Sequence, residues 1–203
     1  MITTSVTKVL DAYTEPFLIE WKLKMGKVKS EAISKEALVI GTEVDALIRL
    51  DVTGQKWECD KSVQAVKNCM LAWENFKQAN PSYMQGVEGI QTELTSGDLV
   101  GHPDIYHLTG IDDIKTGNSL TLRSKYCVQA SKYALMAGKT RAGIILLSKT
   151  NETGRYLYVW WDGELLTYFG QTVFDAFKTI YEYNDVADEM VRRFLEREIL
   201  NVS

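Results

Sequence analysis

Cysteine is scarce in this chain, and its arrangement excludes several kinds of site. The three cysteines, Cys59, Cys69 and Cys127, are an odd number, and no two of them stand in Cys-x-x-Cys spacing. Disulfide frameworks and zinc sites use paired or grouped cysteines. We therefore expect neither, and free thiols in a reducing compartment fit the composition best.

Long apolar runs are also missing. No run approaches the roughly 20 residues of a membrane-spanning helix, and the first residues, MITTSVTKVLDAYTEP, lack a basic start followed by an apolar block. We expect a soluble, cytoplasmic protein with no membrane partner. The sequence also lacks the G-x-x-x-x-G-K-[ST] run of nucleotide-hydrolysing motors.

The chain is long enough and apolar enough for one substantial core. It has 203 residues, of which 45% are hydrophobic, and no internal repeat or linker rich in Gly, Ser or Pro divides it. We interpret residues 1–203 as a single domain. Its core is expected at about residues 31–168, with helical additions at both ends.

The net charge of −4 conceals a basic segment. Residues 115–155 contain eight Lys and Arg against one Glu, whereas the segments on either side are acidic. A run of this kind is compatible with a solvated helix face and its loops. It is also compatible with a cationic track for phosphate groups beside a metal site.

The order of apolar patterns predicts an α/β fold with a mixed central sheet flanked by helices. Short turns between three early strands favour an antiparallel meander. The expected elements are helices before residue 30, from Ser30 to about 48 and over 61–79, strands over 86–94, 98–108 and 110–115, a helix over 124–138, strands over 141–149, 154–161 and 164–169, and closing helices from about Thr172.

The candidate site lies in residues 101–115, GHPDIYHLTGIDDIK. Strand alternation places Asp113 and Lys115 on one face and Asp112 on the other. Asp104 and Asp113, with the carbonyl of Ile114, are oxygen ligands suited to Mg²⁺ or Mn²⁺. Lys115 could orient or deprotonate an attacking water. The alternative is a turn cap at Asp104 and a polar strand end with an ordinary salt bridge.

Three motifs in order resemble the PD-(D/E)xK nuclease superfamily and, within it, the RecB-like branch. They are G-x-x-D at Gly101–Asp104, D-x-K-T-G at Asp113–Gly117 and Q-x-x-x-Y at Gln129–Tyr133. The resemblance covers about residues 40–150 and implies a restriction-endonuclease-like core. It also implies Mg²⁺- or Mn²⁺-dependent hydrolysis of DNA, in which Gln129 and Tyr133 steady the motif or the DNA.

The family's first motif, G-x-x-x-H on a helix, is incomplete here. Gly41 matches the glycine, and Asp45 stands where the metal-binding histidine is expected. The resemblance therefore implies that Asp45 or Glu43 completes the metal shell. Glu88 or Glu93 is a candidate for a glutamate that family members often carry before G-x-x-D. An iron–sulfur cluster is not expected, because no cysteine follows Cys127.

The expected function is that of an exonuclease in DNA recombination, repair or end processing, of the kind carried by phages and mobile elements. Two alternatives remain open, a structure-specific endonuclease on the same scaffold and an inactive nucleic-acid-binding module. DNA is the expected partner, while a homo-oligomer and a single-strand annealing or helicase partner stay open. The basic side chains predicted to contact DNA are Arg123, Lys125, Lys132 and Arg141.

Other polar and aromatic residues are given structural roles. His107 is odd-spaced from Asp104 and is expected on the opposite face, and His102 is treated as a polar strand residue. A late strand carries a cluster of aromatic residues that are expected to pack in the core rather than stack on bases. These aromatic residues are Tyr156, Tyr158, Trp160 and Trp161.

Overall fold

A computed structural model describes residues 3–59 and 63–201. The helices are α1 (Val6–Asp11), α2 (Pro16–Met25), α3 (Lys27–Val52), α4 (Gln64–Ala79), α5 (Ser124–Met136), α6 (Gly163–Thr167) and α7 (Phe174–Asn201). The strands are β1 (Thr4–Ser5), β2 (Val87–Ile90), β3 (Leu94–Ser96), β4 (Leu99–Gly101), β5 (Ile105–His107), β6 (Gly110–Gly117), β7 (Arg141–Ser148) and β8 (Tyr156–Asp162). A 3₁₀ turn precedes β2, and a π-helical turn joins α6 to α7.

The central sheet has five strands in the order β2-β5-β6-β7-β8. The first three form an antiparallel meander. Strands β6 and β7 then run parallel over their full lengths, with α5 as the crossover between them, and β8 returns antiparallel. A parallel pair needs such a crossover, because no tight turn can reverse the chain twice. The predicted α/β class, a mixed central sheet with an antiparallel meander flanked by helices, is confirmed.

Helices cover both faces of this sheet, and β7 shows why. Ile144 and Leu146 belong to one apolar cluster with α1, α5 and the start of α7. Ile145 and Leu147 belong to a second cluster with α3 and α4. A strand buried on both faces reads as an unbroken apolar run, so the prediction for this strand is confirmed.

The two predicted strands that precede β6 are each broken into two pieces. Gln91 ends β2 with a left-handed backbone (φ +48°), and Pro103 separates β4 from β5. Strands β3 and β4 leave the central sheet and join β1 in a separate three-stranded sheet. Proline cannot donate to a strand ladder, and a left-handed residue turns the chain. The prediction of two continuous strands was wrong.

Other predicted boundaries also change. Residues 164–169, predicted as a strand, begin with α6, because Leu166 and later residues pack inward at helical spacing. Ser30 does not cap α3; its hydroxyl donates to the Lys27 carbonyl from within the helix. The expected closing helices are one helix, α7. The start of the helix predicted from residue 61 lies outside the described residues.

The core extends beyond the predicted bounds of 31–168. Val6 and Val9 of α1 and Phe174 of α7 have no exposed surface and pack in the same cluster as α5. The helix before residue 12 is therefore part of the core rather than a peripheral addition. Within residues 3–59 and 63–201, no helix is both long and apolar enough to cross a membrane.

Candidate active site

Strand β6 presents Asp113 and Lys115 on the same side of the sheet. The Lys115 Nζ lies 2.6 Å from Asp113 Oδ2. Asp113 is 2% exposed, whereas the Lys115 side chain is 23% exposed and lines a cleft of about 360 Å³. Asp112 points to the opposite face, as the alternation predicts. Lys115 therefore lines the cleft, and the buried Asp113 carboxylate lies behind it as its ion-pair partner.

Asp104 reaches this cleft from the bend between β4 and β5. Its Oδ2 accepts a hydrogen bond from the Ile114 N–H at 2.7 Å. The pairing of β5 with β6 ends at Ile105 and Asp112, so the Asp104 side chain takes the place of a further backbone acceptor. This bond ties Asp104 to β6 and sets it beside Asp113.

Gln91 connects Asp104 to α3, and the sequence analysis missed it. Its Nε2 donates to Asp104 Oδ1 at 2.7 Å and lies 3.4 Å from Asp45 Oδ1. Asp45 also forms a 2.9 Å ion pair with Arg49, one helical turn later. Asp45 lines the cleft. Glu43 is two residues away, on another side of α3, so the geometry favours Asp45 over Glu43.

The negative charges in the cleft act on one another. Burial, and then the charge of Asp113, raises the pKa of Asp104 well above its ordinary value. Burial also raises the pKa of Asp45, with Arg49 opposing this effect. For Lys115, burial acts to lower the pKa, but Asp113 and Asp104 outweigh it and the pKa is raised. The cleft thus concentrates negative charge that a further cation would neutralise.

The carboxylates fit a magnesium-type ion in kind and number. Among the described residues, no three His, Cys, Asp or Glu side chains converge as a closed metal site. Mg²⁺ does not require one, because it commonly binds one or two carboxylates and keeps waters and substrate phosphates as its other ligands. Asp104 and Ile114, which line the cleft, and Asp113, which lies behind Lys115, could supply such an open set of oxygen ligands.

The Gln129 and Tyr133 pair lies on α5, next to the carboxylates. Gln129 Nε2 donates to the Tyr133 hydroxyl at 3.1 Å, and Thr7 Oγ1 lies 3.4 Å from the same hydroxyl. Burial, and then the charge of Asp113, raises the pKa of Tyr133. A Cβ at Gly101 would come within 2.3 Å of the Tyr133 ring. The glycine of G-x-x-D therefore lets α5 pack closely on β4.

The four basic residues predicted to contact DNA do not share one surface. Arg123 lies over the rings of Phe17 and Tyr126, 4.9 and 5.7 Å from their centroids, beside the cleft. Lys125 pairs with Asp11 at 2.7 Å on the α1 side. The Lys132 ammonium lies 4.5 Å from the centroid of the buried Phe174 ring.

Arg141 does not fit the prediction that it contacts DNA. Its guanidinium donates to Asp112 Oδ2 at 2.9 Å and to the Tyr158 hydroxyl, beneath the opposite face of the sheet. Asp112 has no exposed surface, and a buried carboxylate needs a cationic or hydrogen-bonding partner. The structure therefore assigns Arg141 to this internal ion pair.

The Asp112 carboxylate is the centre of a closed polar cluster. The Tyr83 hydroxyl donates to Asp112 Oδ2 at 2.9 Å, and His107 Nε2 lies 3.3 Å from the same oxygen. Burial, and then the charge of Asp112, raises the pKa of Tyr83 well above its ordinary value. His107 is thus on the face opposite Asp104, as its spacing predicts.

The remaining candidates lie away from the carboxylates. Glu88 pairs with Lys139 at 3.1 Å, and Glu93 lies 3.3 Å from His102 on the exposed rim of the three-stranded sheet. On β8, Trp161 is buried and donates to Ser131, whereas Trp160 is 54% exposed. Tyr156 and Tyr158 pack edge-on against Phe76.

No family model matches the chain, and no curated protein sequence matches it. Among solved structures it is similar to an alkaline exonuclease from Laribacter hongkongensis, with 13% identity, a TM-score of 0.48, and coverage of 99% of this chain and 95% of that chain.

The complex of that exonuclease with dAMP aligns at 15% identity and a TM-score of 0.44, over 99% of this chain and 95% of that chain. A phage-related exonuclease from Haemophilus somnus 129PT aligns at 15% identity and a TM-score of 0.43, over 93% of this chain and 96% of that chain. These likenesses are too loose to assign an activity, so the site itself must support any functional proposal.

Proposed function

We propose that this chain is a metal-dependent nuclease that hydrolyses phosphodiester bonds at DNA ends, of the RecB-like type its motifs resemble. The observation that carries the proposal is that Asp104 and Lys115 line one cleft, where Asp113 is ion-paired with Lys115 and Asp104 accepts a hydrogen bond from the backbone of Ile114. Two carboxylates and an amine, brought together by β6 and the bend before β5, are groups that can support metal-assisted phosphodiester hydrolysis. A turn cap beside an ordinary salt bridge would not account for an open cleft at this point.

Each protein group has a role that follows from its surroundings. Asp104 and Asp113 would hold Mg²⁺ or Mn²⁺ together with the Ile114 carbonyl, and Asp45 would contribute from α3. When bound, such an ion polarises a phosphate and lowers the pKa of a coordinated water. Gln91 fixes the spacing between Asp45 and Asp104 through its amide.

Lys115 acts as a cation in this arrangement. Without a bound ion, Asp113 and Asp104 raise the pKa of Lys115 against the opposing effect of burial, which favours the protonated amine. A protonated lysine can orient the attacking water by hydrogen bonding and can stabilise charge that develops on the phosphate. This role is narrower than direct removal of a proton from water, which the sequence alone left open.

DNA is proposed as the substrate because the cleft opens beside basic side chains. Arg123 and Lys149 line a second cleft that adjoins the carboxylates. The proposal extends to action in recombination, repair or end processing. It also includes a homo-oligomer and an annealing or helicase partner as possible assemblies.

The direct test is a cleavage assay on end-labelled linear DNA and on closed circular DNA, each single- and double-stranded, with Mg²⁺, with Mn²⁺ or with EDTA. We expect metal-dependent loss of linear DNA. Asp113→Ala should lower the rate by about a thousandfold or more, since it removes a proposed metal ligand. Glu88→Ala is the matched control, because it removes a carboxylate that pairs with Lys139 outside the cleft.

The substrate forms separate the alternatives. Loss of linear DNA alone supports the exonuclease, and nicking or linearisation of circles would favour the structure-specific endonuclease. Metal-independent binding with no cleavage of any form would reject the enzymatic proposal in favour of a binding module. Equal activity of Asp113→Ala and wild type would show that the cleavage comes from another site.

A further inference from the structure

A second cleft, here called the aromatic cleft, lies against the carboxylate cleft. It has a volume of about 500 Å³ and is formed by α2, the first half of α3 and the loop after β6. Ala37 and Thr116 line both clefts. The two clefts are therefore adjacent, and a chain bound at Lys115 would pass beside the aromatic cleft.

Three aromatic rings and a guanidinium give the aromatic cleft its chemistry. Phe17 and Trp21 come from α2 and Tyr126 from α5. The Arg123 guanidinium lies over the rings of Phe17 and Tyr126, so a planar cation already contacts two aromatic rings there. Aromatic and guanidinium planes are the surfaces on which unpaired bases stack.

The charges in the aromatic cleft suit a phosphate backbone. Arg123 and Lys149 contribute two cations to its lining, and no lining residue is acidic. Arg123 also lies 3.8 Å from the Glu15 carboxylate, which does not line the cleft. The ammonium of Lys149 forms no ion pair within the part of the chain that the structure describes. Asn118 and Ser119 add polar groups beside these cations.

Helix α2 is otherwise hard to explain. It contains no buried residue, although Phe17, Ile19 and Leu23 are large and apolar, with 47%, 48% and 79% of their surfaces exposed. A helix is normally held by an apolar face packed against a core. The side of α2 that carries Phe17 and Trp21 instead faces an open space.

We propose that the aromatic cleft binds an unpaired nucleobase of the DNA strand next to the scissile phosphate, stacked on Trp21 and Phe17 beside the Arg123 guanidinium. The choice of DNA as the ligand rests on the proposed function. The inference narrows the substrate class to DNA with an unpaired end, either an overhang or a frayed terminus. A fully paired terminus would need to open before it could enter.

The test measures base-dependent binding in EDTA, so that no cleavage occurs. The probe is a short fluorescein-labelled single-stranded oligonucleotide, compared with the same oligonucleotide carrying abasic residues at its terminal positions. We expect wild type to bind the complete oligonucleotide about tenfold more tightly, the effect of losing one or two stacked bases. The variant Phe17→Ala/Trp21→Ala should bind both probes equally.

Ile19→Ala/Leu23→Ala is the matched control, since it also removes two exposed or partly exposed apolar side chains from α2, but outside the aromatic cleft. It should keep the tenfold preference. If the first double variant fails to fold by thermal unfolding, Trp21→Leu replaces it, because leucine keeps the bulk and removes the ring. Trp21→Leu should then lower the preference severalfold.

Two results would overturn the inference. One is equal affinity of wild type for complete and abasic probes, and the other is a double variant that weakens both probes by the same factor. Cleavage of linear DNA with Mg²⁺, measured beside this assay, keeps the outcomes apart. Cleavage without base preference contradicts base binding in the aromatic cleft and supports the nuclease. Base preference without cleavage supports base binding and contradicts the nuclease.

Discussion

Two neighbouring aspartates on β6 have different surroundings on the two faces of one strand. Asp112 is fully buried and is surrounded by Arg141, Tyr83 and His107. Asp113 is almost as buried, yet its partner Lys115 opens into a cleft. The first cluster is closed to any ligand, and the second leaves room for one.

The two sites differ in how the charge of each carboxylate is balanced. The charge of Asp112 is balanced by a guanidinium of the same protein, so its cluster contributes to the fold. Asp113 and Asp104 lie near one ammonium group, and burial, followed by the charge of Asp113, raises the pKa of Asp104. A site under such repulsion costs stability and gains affinity for cations.

The largest expected effect comes from breaking the closed cluster. Asp112→Ala should lower the free energy of unfolding by about 3–5 kcal/mol, because it leaves the Arg141 charge and the Tyr83 hydroxyl without their buried partner. Chemical denaturation measures this. Asp113→Ala is the comparison, and we expect a smaller loss, since Lys115 can reach water. Equal losses for the two variants would contradict the distinction between the faces.

A smaller effect should follow from crowding the same cluster. A Cβ at Gly143 would come within 2.1 Å of Asp112 Oδ1 and 3.2 Å of the Val159 carbonyl oxygen. Gly143→Ala should therefore destabilise the protein by about 1–3 kcal/mol, the usual cost of overpacking. Thermal unfolding in EDTA is the measurement.

Gly41→Ala provides the control for that substitution. A Cβ there would lie 3.7 Å from Thr116 Oγ1, an ordinary contact, and alanine favours helix α3 by up to about 1 kcal/mol. We expect Gly41→Ala to be neutral or stabilising. A Gly143→Ala protein as stable as wild type would mean that the Asp112 cluster has space to yield.

The smallest expected effect concerns the pH dependence of stability at Asp104, in the cleft. Because the pKa of Asp104 is raised in the folded protein above 3.8, the folded state binds the proton more tightly than the unfolded state. Stability from this group is therefore complete below about pH 4 and is lost as pH rises through the folded pKa. Asp104→Asn removes that loss.

Urea denaturation in EDTA from pH 4 to pH 8 tests this. The free energy of unfolding of Asp104→Asn, relative to wild type, should rise with pH, by about 1 kcal/mol for each unit of pKa shift. The Asp98→Asn variant serves as control, because Lys178 lowers the pKa of that exposed carboxyl and the trend there should run the other way. A flat difference for Asp104→Asn would show that the pKa of this carboxyl is not raised in the folded protein.

Strong local patterns made much of the fold predictable. The apolar run of β7, the helical spacing of α5 and the alternation along β6 are each properties of one element. They can therefore be predicted from the local sequence. Asp112 and Asp113 could be sorted to opposite faces for the same reason. Where an element is short or broken, as at Pro103, the fold depends on contacts between distant segments, and the predicted strand was too long.

The site was predictable in its named residues more than in their partners. Asp104, Asp113 and Lys115 could be chosen from spacing and resemblance, and the structure brings them together. Arg141 follows them in a basic segment, yet its guanidinium is bound to Asp112, because strand pairing places it beneath the opposite face. Gln91 could not be found, since a neutral amide gives no charge or periodic signal.

Gln91 also limits which sequences this position accepts. A left-handed backbone costs a residue with a side chain about 1 kcal/mol, and glycine or asparagine would carry it more easily. Glycine has no amide to offer, and asparagine is one methylene too short to keep the bond to Asp104 while facing Asp45. Glutamine therefore accepts a less favourable backbone conformation because its side chain reaches both carboxylates. Glycine or asparagine would relieve the backbone but lose the contacts that fix the distance between Asp45 and Asp104.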